Sequence, residues 1–347
     1  MSVKILIRTP NHLGDSIMAL PMINDTREAY PGSTVTLLSP QNLTGLFEHN
    51  PAIDEIVGIP PAHVHGLIAV MKIRDLIATG SYDVGYVLPP SFGSAAAFKL
   101  GGIKERIGYI TDGRRLLLSR PLVLPAPLNA VHRSELYYDL LRRGSGAELE
   151  ASQPKLFLND DDVRRGMQIL AGFGVGERDE YATVAFRAVA ESRRWGTDNY
   201  IELTKTIISR YGFKVVLIGS DDDRSEGDRI TAAAGGGAVA NLAGKTGLRD
   251  AAAILSGASI FIGNDSGPAH LAAAVGIPLV VLSGADDPQS TSPISPRKRL
   301  VFLSHLDCIS CVKNKCPLTD ENRMQCMRGI MPAMVMESVT ELLGRPG

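Results

Sequence analysis

The stretch Ile262-Gly-Asn-Asp-Ser-Gly-Pro-Ala-His270, running on into Leu271-Ala-Ala-Ala-Val-Gly276, constrains this chain more than any other. An apolar run over 258–262 stops at a turn of small and polar residues, and a helix-forming run begins at once. Junctions of this kind belong to α/β folds built on a parallel sheet. They present the free N–H groups and positive dipole end of a helix, with a glycine allowing close approach, to an anion such as a diphosphate. Asp265, Ser266, Gly267 and His270 crowd chemistry into six residues. An equal reading makes Asp265 or Ser266 no more than the helix N-cap.

The same alternation of strand and helix runs through both halves. In the first, residues 3–7, 34–38, 54–58 and 82–88 read as strands, and 16–30, 67–78 and 95–100 as helices. Pro21 lies inside 16–30 and marks either a kink or the true first turn. In the second, 181–186, 214–218, 258–262 and 279–282 read as strands, and 160–170, 199–210 and 249–256 as helices. A chain of 347 residues is too long for one typical core, so two domains are expected, 1–172 and 173–330, followed by 331–347 with a helix over 335–343. The three glycines of Ala171-Gly-Phe-Gly-Val-Gly-Glu177 read as the linker. A net charge of −1 offers no field for nucleic acid. Neither a signal peptide nor an apolar run long enough for a bilayer is visible, so a cytoplasmic protein with reduced thiols is expected.

Ligands of such sheets bind outside the carboxyl ends of the strands. Loops 9–15 and 89–94 qualify in the first half. There Asp15 is either a helix cap or an exposed carboxylate able to act as a general base toward a hydroxyl. In the second half, Arg193 and Arg194 occupy a strand-to-helix loop, where guanidinium forks hold phosphate oxygens or simply pair on the surface. Asp223 ends an acidic loop after a strand, a place for a ribose-binding carboxylate or for a solvated helix start. Residues 99–143 carry a basic bias beside Leu116-Leu-Leu118, read as a solvated face or as a patch for anionic acceptor or lipid head groups.

Taken in order, these motifs resemble the ADP-heptose:lipopolysaccharide heptosyltransferases, glycosyltransferase family 9. Gly263-Asn-Asp-Ser-Gly-Pro-Ala-His-Leu-Ala-Ala-Ala274 resembles the family's N-D-S-G-x-x-H-x-A-A signature. Asn241-Leu-Ala-Gly-Lys-Thr246, Gly276-Ile-Pro278 and Asp287-Pro288 follow in the family's order, as do Gly14-Asp15 and Pro21 at the start. Tyr86-Val-Leu-Pro-Pro-Ser-Phe-Gly-Ser94 resembles the loop of the heptosyltransferase II branch. The resemblance implies a GT-B fold, with two Rossmann-like domains facing across a cleft, and a last helix that returns toward the first domain. It implies inverting transfer of L-glycero-D-manno-heptose from ADP-heptose to the lipopolysaccharide inner core, with no cofactor required. Asp15 would be the base, with Ser91 and Ser94 at the acceptor. Ser266 and Gly267 would meet the diphosphate, Asp265 the heptose, Arg193 and Arg194 the phosphates, and Asp223 the ribose or base, with His270 orienting the loop or a phosphate. Expected partners are the nucleotide sugar, the lipopolysaccharide acceptor and, peripherally, lipid of the inner membrane. A different nucleotide sugar or acceptor on the same fold is the alternative, and a bilobal small-molecule binding protein the non-enzyme one.

Two positions depart from the family pattern. Its N-P-G-A strand end reads Phe186-Arg-Ala-Val189, and K-R-W-P reads Arg193-Arg-Trp-Gly196. Arginine still binds phosphate, but its fork places the charge differently from lysine. All four cysteines (Cys308, Cys311, Cys316 and Cys326) fall in one short segment, a candidate tetrathiolate for zinc or an iron–sulfur cluster, or a set of reduced thiols packing a loop. The transfer chemistry itself calls for no metal.

Overall fold

The computed structural model describes residues 2–64, 66–127 and 130–344, and separates the chain into two compact units, Met1–Phe157 and Leu158–Gly347. The first unit contains β1 (Lys4–Arg8), β2 (Thr34–Pro40), β3 (Glu55–Ile59), β4 (Val84–Val87), β5 (Glu105–Tyr109) and β6 (Arg120–Leu122). They pair throughout in parallel, in the order β3-β2-β1-β4-β5-β6. The second contains β7 (Tyr181–Ala185), β8 (Lys214–Leu217), β9 (Val239–Asn241), β10 (Ile260–Asn264), β11 (Leu279–Ser283) and β12 (Lys298–Phe302). Its order, β12-β11-β10-β7-β8-β9, is the same pattern read from the other edge. Each unit is therefore a Rossmann-like sheet that winds one way from its first strand and then the other.

The central strands explain themselves. Ile262 of β10 lies between Val184 and Val280, and Ile7 of β1 between Leu37 and Tyr86, all buried. A strand covered on both faces has no use for polar alternation, which is why these runs are nearly continuous in apolar residues. The outer strands β5, β6 and β12 are mixed, as in Glu105-Arg-Ile-Gly-Tyr109, and their periodicity was too weak to read as strand.

The boundary between units falls at Phe157 and Leu158, ahead of the expected 172, and the helix Asp160–Gly172 belongs to the second unit. A buried ion pair accounts for this. Asp162, 3% exposed, takes a hydrogen bond from Arg249 Nε at 2.8 Å and a second from its Nη2, fixing this helix against Leu248–Ser256. Burial alone would raise the Asp162 carboxyl, but Arg249, the backbone of Asn159 and Arg165 hold it down at about 2. Losing one partner of such a pair typically costs about 3–5 kcal/mol. The glycine-rich stretch 171–177 begins in the last turn of that helix and so lies within the second unit. The helix Pro332–Leu343 also packs there: Val335, Met336 and Val339 join Trp195, Tyr200 and Ile262 in the core. Trp195 Nε1 donates to the Ile330 carbonyl at 2.7 Å, so the one tryptophan buries its polar edge satisfied.

Pro21 resolves the first helical stretch into two, Leu13–Met18 and Leu20–Ala29, and stands in the first turn of the second, where its missing N–H costs nothing. Among the described residues no helix is long and apolar enough to cross a membrane.

Candidate functional site

Each sheet reverses direction once, between β1 and β4 and between β7 and β10. The carboxyl ends flanking such a reversal leave a crevice where ligands bind. Most of the loops singled out from the sequence lie there: 9–15 after β1, 89–94 after β4, the Arg193 loop after β7 and the Asp265 turn after β10; the Asp223 loop instead follows β8.

At the first reversal Asp15 sits in the opening turn of Leu13–Met18, whose N-cap is His12. It is therefore not the cap. Arg133 Nη1 donates to Asp15 Oδ1 at 2.7 Å, and the Asp15 side chain is 16% exposed. The hydroxyl of Tyr137, four residues along the helix Arg133–Ser145, is pushed well above its usual range by burial and then by the charge on Asp15. Ser91 is the N-cap of Phe92–Leu100: its Oγ accepts from Ser94 N at 3.3 Å and lies 2.8 Å from Ser94 Oγ. Ser91 is exposed and Ser94 buried.

Two arginines brace these loops and went unrecognised in the sequence. Arg8, 1% exposed, donates to Thr9 O and Asn11 Oδ1 and so shapes the loop after β1. Arg114, also 1% exposed, joins Tyr109 O to Pro89 O, tying the loop after β4 to the end of β5. Burial lowers both guanidinium groups to about 10. Only Arg114 among the cations over 99–143 is buried, but several of the others are spent on the protein's own carbonyls. Arg106 donates to the carbonyls of Leu117 and Ile103, Arg120 to that of Gly144, and Arg142 to that of Leu149. A buried arginine looks the same in sequence as a solvated one, and only the fold separates them.

At the second reversal Ser266 holds the N-cap position of Gly267–Ala274, yet its hydroxyl does not cap; Oγ donates back to Asn264 O at 3.1 Å. Asp265 is 3% exposed and its Oδ2 has no partner. Asp265 is thus not the cap, and Ser266 holds the cap position without a side-chain capping bond. Asn264 is fully buried with its amide oxygen and nitrogen both unpartnered, and Ser283 Oγ at the end of β11 is in the same condition. Buried polar atoms seldom stay orphaned, so this group is suited to a polar ligand or ordered water. His270, 5% exposed, brings Nε2 within 3.9 Å of Asp265 Oδ1.

Arg193 reaches this corner from the turn Glu191–Arg193, but its closest partner is one the sequence reading passed over. Nη2 lies 2.6 Å from Oδ1 of Asp286, a residue 3% exposed in the loop after β11. Burial, then the neighbouring charge of Asp286, raises the Asp265 carboxyl to about 8 against the pull of Arg193 and Lys298. Burial raises Asp286 to about 6, with Arg193 opposing. Lys298 Nζ is held at 2.7 Å by both Ser292 Oγ and Pro293 O. The clue to Asp286 was its position, an acid just past a strand in Ser283-Gly-Ala-Asp-Asp-Pro288.

Two other sequence candidates have local partners. Arg194 donates to the carbonyls of Ala188 and Val189 and so staples its own loop. Asp223 Oδ2 accepts from Ser220 N at 2.8 Å and Ser220 Oγ at 2.7 Å, and Oδ1 lies 3.4 Å from Arg187 Nε. The four cysteines are free thiols; Cys326 is buried and Cys316 Sγ accepts from Met324 N at 3.3 Å. Among the described residues no group of three or more His, Cys, Asp or Glu side chains is arranged to hold a metal ion. The segment carrying them buttresses the arginine turn and the Asp286 loop: Ser192 N donates to Asn314 O, Ser310 N to Gly284 O and Val312 N to Ala285 O.

Set against known proteins, residues 70–321 match the model of glycosyltransferase family 9 (heptosyltransferase). The chain belongs to glycosyltransferase family 9. It is similar to lipopolysaccharide heptosyltransferase 2 of Salmonella typhimurium, 29% identical over 99% of this chain and 100% of that protein. With the Escherichia coli protein of the same name it shares 30% identity over 87% of its own length and 88% of the other. The solved structure of Escherichia coli ADP-heptose lipopolysaccharide heptosyltransferase II superposes with a TM-score of 0.81 at 27% identity, covering 98% of both chains. A family 9 structure from Veillonella parvula superposes at 0.86 with 19% identity over 99% of this chain and 98% of that one, a likeness of fold alone. The family resemblance and the GT-B fold read from the motifs are both borne out.

Proposed function

We propose that this family 9 enzyme transfers L-glycero-D-manno-heptose from ADP-heptose to the heptose of the lipopolysaccharide inner core, with inversion. The observation that carries the reading is the cluster at the second reversal. Arg193, the N-terminus of Gly267–Ala274 and the acid Asp265, whose Oδ2 has no partner, converge there, in a chain related over nearly its full length to lipopolysaccharide heptosyltransferases 2. Arg193 and the N–H groups of Ser266 and Gly267 meet the diphosphate and stabilise departing ADP. Asp265 accepts hydrogen bonds from heptose hydroxyls, and His270 keeps Asp265 in place. Asp223, held by Ser220, faces the nucleoside, and Arg194 shapes the phosphate loop. Asp15 of the first unit deprotonates the acceptor hydroxyl, and the exposed Ser91, backed by Ser94, contacts the acceptor.

Arg193 and Phe186 depart from the family pattern at the donor loop, so donor identity is the point to test. Purified enzyme is expected to use ADP-heptose with a kcat/KM at least about tenfold above ADP-glucose, UDP-glucose or GDP-mannose on a lipid A–Kdo–heptose acceptor. Equal use of one of these hexose donors would replace the heptosyl reading with a hexosyl one.

The acceptor is a lipid, and the first unit carries a fitting surface. Ile68, Phe92 and Leu116 are exposed at 71%, 50% and 85% on adjoining elements, flanked by exposed Lys99 and Arg115. An apolar patch edged by cations suits an anionic membrane. The protein should cosediment with phosphatidylglycerol vesicles about tenfold more than with phosphatidylcholine vesicles, and Phe92→Glu/Leu116→Glu should abolish the difference. Undiminished sedimentation of that variant would place the contact elsewhere.

A further inference from the structure

The guanidinium that would receive the donor's phosphates is engaged by a carboxylate. Arg193 Nη2 lies 2.6 Å from Asp286 Oδ1, yet the Arg193 side chain keeps 32% of its surface exposed while that of Asp286 keeps 4%. The arginine faces both ways; the carboxylate faces only the interior. Oδ2 of Asp286 has no partner at all, nor has Oδ2 of Asp265. Two buried acids, each with an orphaned oxygen, thus share the positive charge of Arg193 and that of Lys298, whose Nζ is pinned by Ser292 and Pro293. His270, from the helix Gly267–Ala274, is the remaining titratable group against Asp265.

We propose that Asp286 is a positioning residue for donor binding, which holds Arg193 in the free enzyme and yields it to the incoming diphosphate while taking up one proton from solvent. This rests on the reading of Arg193 as a phosphate-binding residue. A nucleotide sugar brings two negative phosphates to a guanidinium already paired with a carboxylate. Once the phosphates share that fork, an ionised Asp286 would be a buried anion beside another anion, with an oxygen that nothing solvates. Such a group neutralises instead. The proton comes from bulk water or buffer and adds to a carboxylate oxygen; no other bond is made or broken. Neighbouring acids titrate as a pair rather than singly. The raised carboxyls of Asp265, about 8, and Asp286, about 6, describe a free pair holding one proton between those pH values. Donor binding brings the second.

The sign follows. If the bound form carries one proton more than the free form, affinity is greatest at low pH and falls as the pH rises between about 6 and 8. The probe is ADP-heptose without acceptor, because its diphosphate is esterified at both ends and does not itself titrate there. Calorimetry in buffers of different ionisation enthalpy should show uptake approaching one proton near neutral pH, and the dissociation constant should rise up to about tenfold per pH unit. Asp286→Asn keeps an oxygen for Arg193 but cannot take the proton. Its uptake should fall to about a third or less, and its dissociation constant should change less than about fivefold over the same range. Wild-type uptake of zero, or uptake that persists in Asp286→Asn, would overturn the proposal. The donor reading fails separately, if Arg193→Ala binds ADP-heptose as well as the wild type does.

Discussion

Asp15→Asn is expected to lower kcat for heptosyl transfer by about 10²–10⁴-fold, the span over which a positioned general base acts, while the dissociation constant of ADP-heptose moves less than about twofold. The substitution preserves the shape of the side chain and an oxygen for Arg133, whose Nη1 bonds Asp15 Oδ1 at 2.7 Å. What is removed is the capacity to accept a proton from the acceptor hydroxyl. That step occurs only on the way to the transition state, so the loss should appear in kcat and leave donor binding aside. Circular dichroism and donor affinity serve as the control, since the helix Leu13–Met18 begins beside the central strand β1 and a misfolded loop would disturb both. Asp15→Glu should recover part of the rate, because a carboxylate remains within reach. Near-normal turnover in Asp15→Asn would remove Asp15 from the role of base and leave Arg133 and Tyr137 without a catalytic partner.

The position of Asp15 was readable because it is local. A buried apolar strand followed by Gly14-Asp15 and a helical run describes a strand's carboxyl end, and the reversal between β1 and β4 puts that end where ligands bind. Its partner was not readable. Arg133 is 118 residues away, in a stretch whose arginines all look alike in sequence. The sheet sorts them: Arg114 is buried, Arg106 and Arg120 fasten carbonyls, and Arg133 alone among these meets the carboxylate of Asp15. The boundary between units was missed for a similar reason. Glycines at 172, 174 and 176 look like a hinge, whereas the helix ahead of them is tied to the second unit by Asp162 binding Arg249, 87 residues apart.

In the second unit the sequence located the loops and most of their charges, but not how those charges pair. The N-D-S-G junction, Arg193 and the Asp287-Pro288 pair were each visible as strand-end features. That Arg193 closes on Asp286 depends on how far the loops after β7 and β11 extend past the sheet, and on the cysteine-bearing segment beneath both. The cysteines show what spacing leaves open. Four thiols within a short span do gather, since burial and then Cys308, Cys311 and Cys316 push the Cys326 thiol up to about 11, while Cys326 packs in the core and Cys316 accepts a backbone N–H.

Arg193→Ala should weaken ADP-heptose binding by about 100-fold, and two effects combine in that figure. A hydrogen bond to a charged partner contributes about 1.5–3 kcal/mol, equivalent to roughly 10–100-fold in affinity. Removing the arginine also strips Asp286 of its counter-ion, leaving a buried acid at the rim of an anion site. The second effect can be isolated. In Arg193→Ala/Asp286→Asn the acid that must be protonated before the diphosphate can settle is gone, and about tenfold of the lost affinity should return at pH 8. Arg193→Lys should fall between the wild type and alanine, since an ammonium carries the charge but cannot hold Asp286 and phosphate with separate arms of one fork. If alanine alone left the dissociation constant unchanged, the diphosphate would have to be held without the loop after β7. If the double variant were no better than the single one, Asp286 would be a spectator, and Arg193 would act by its own hydrogen bonds alone.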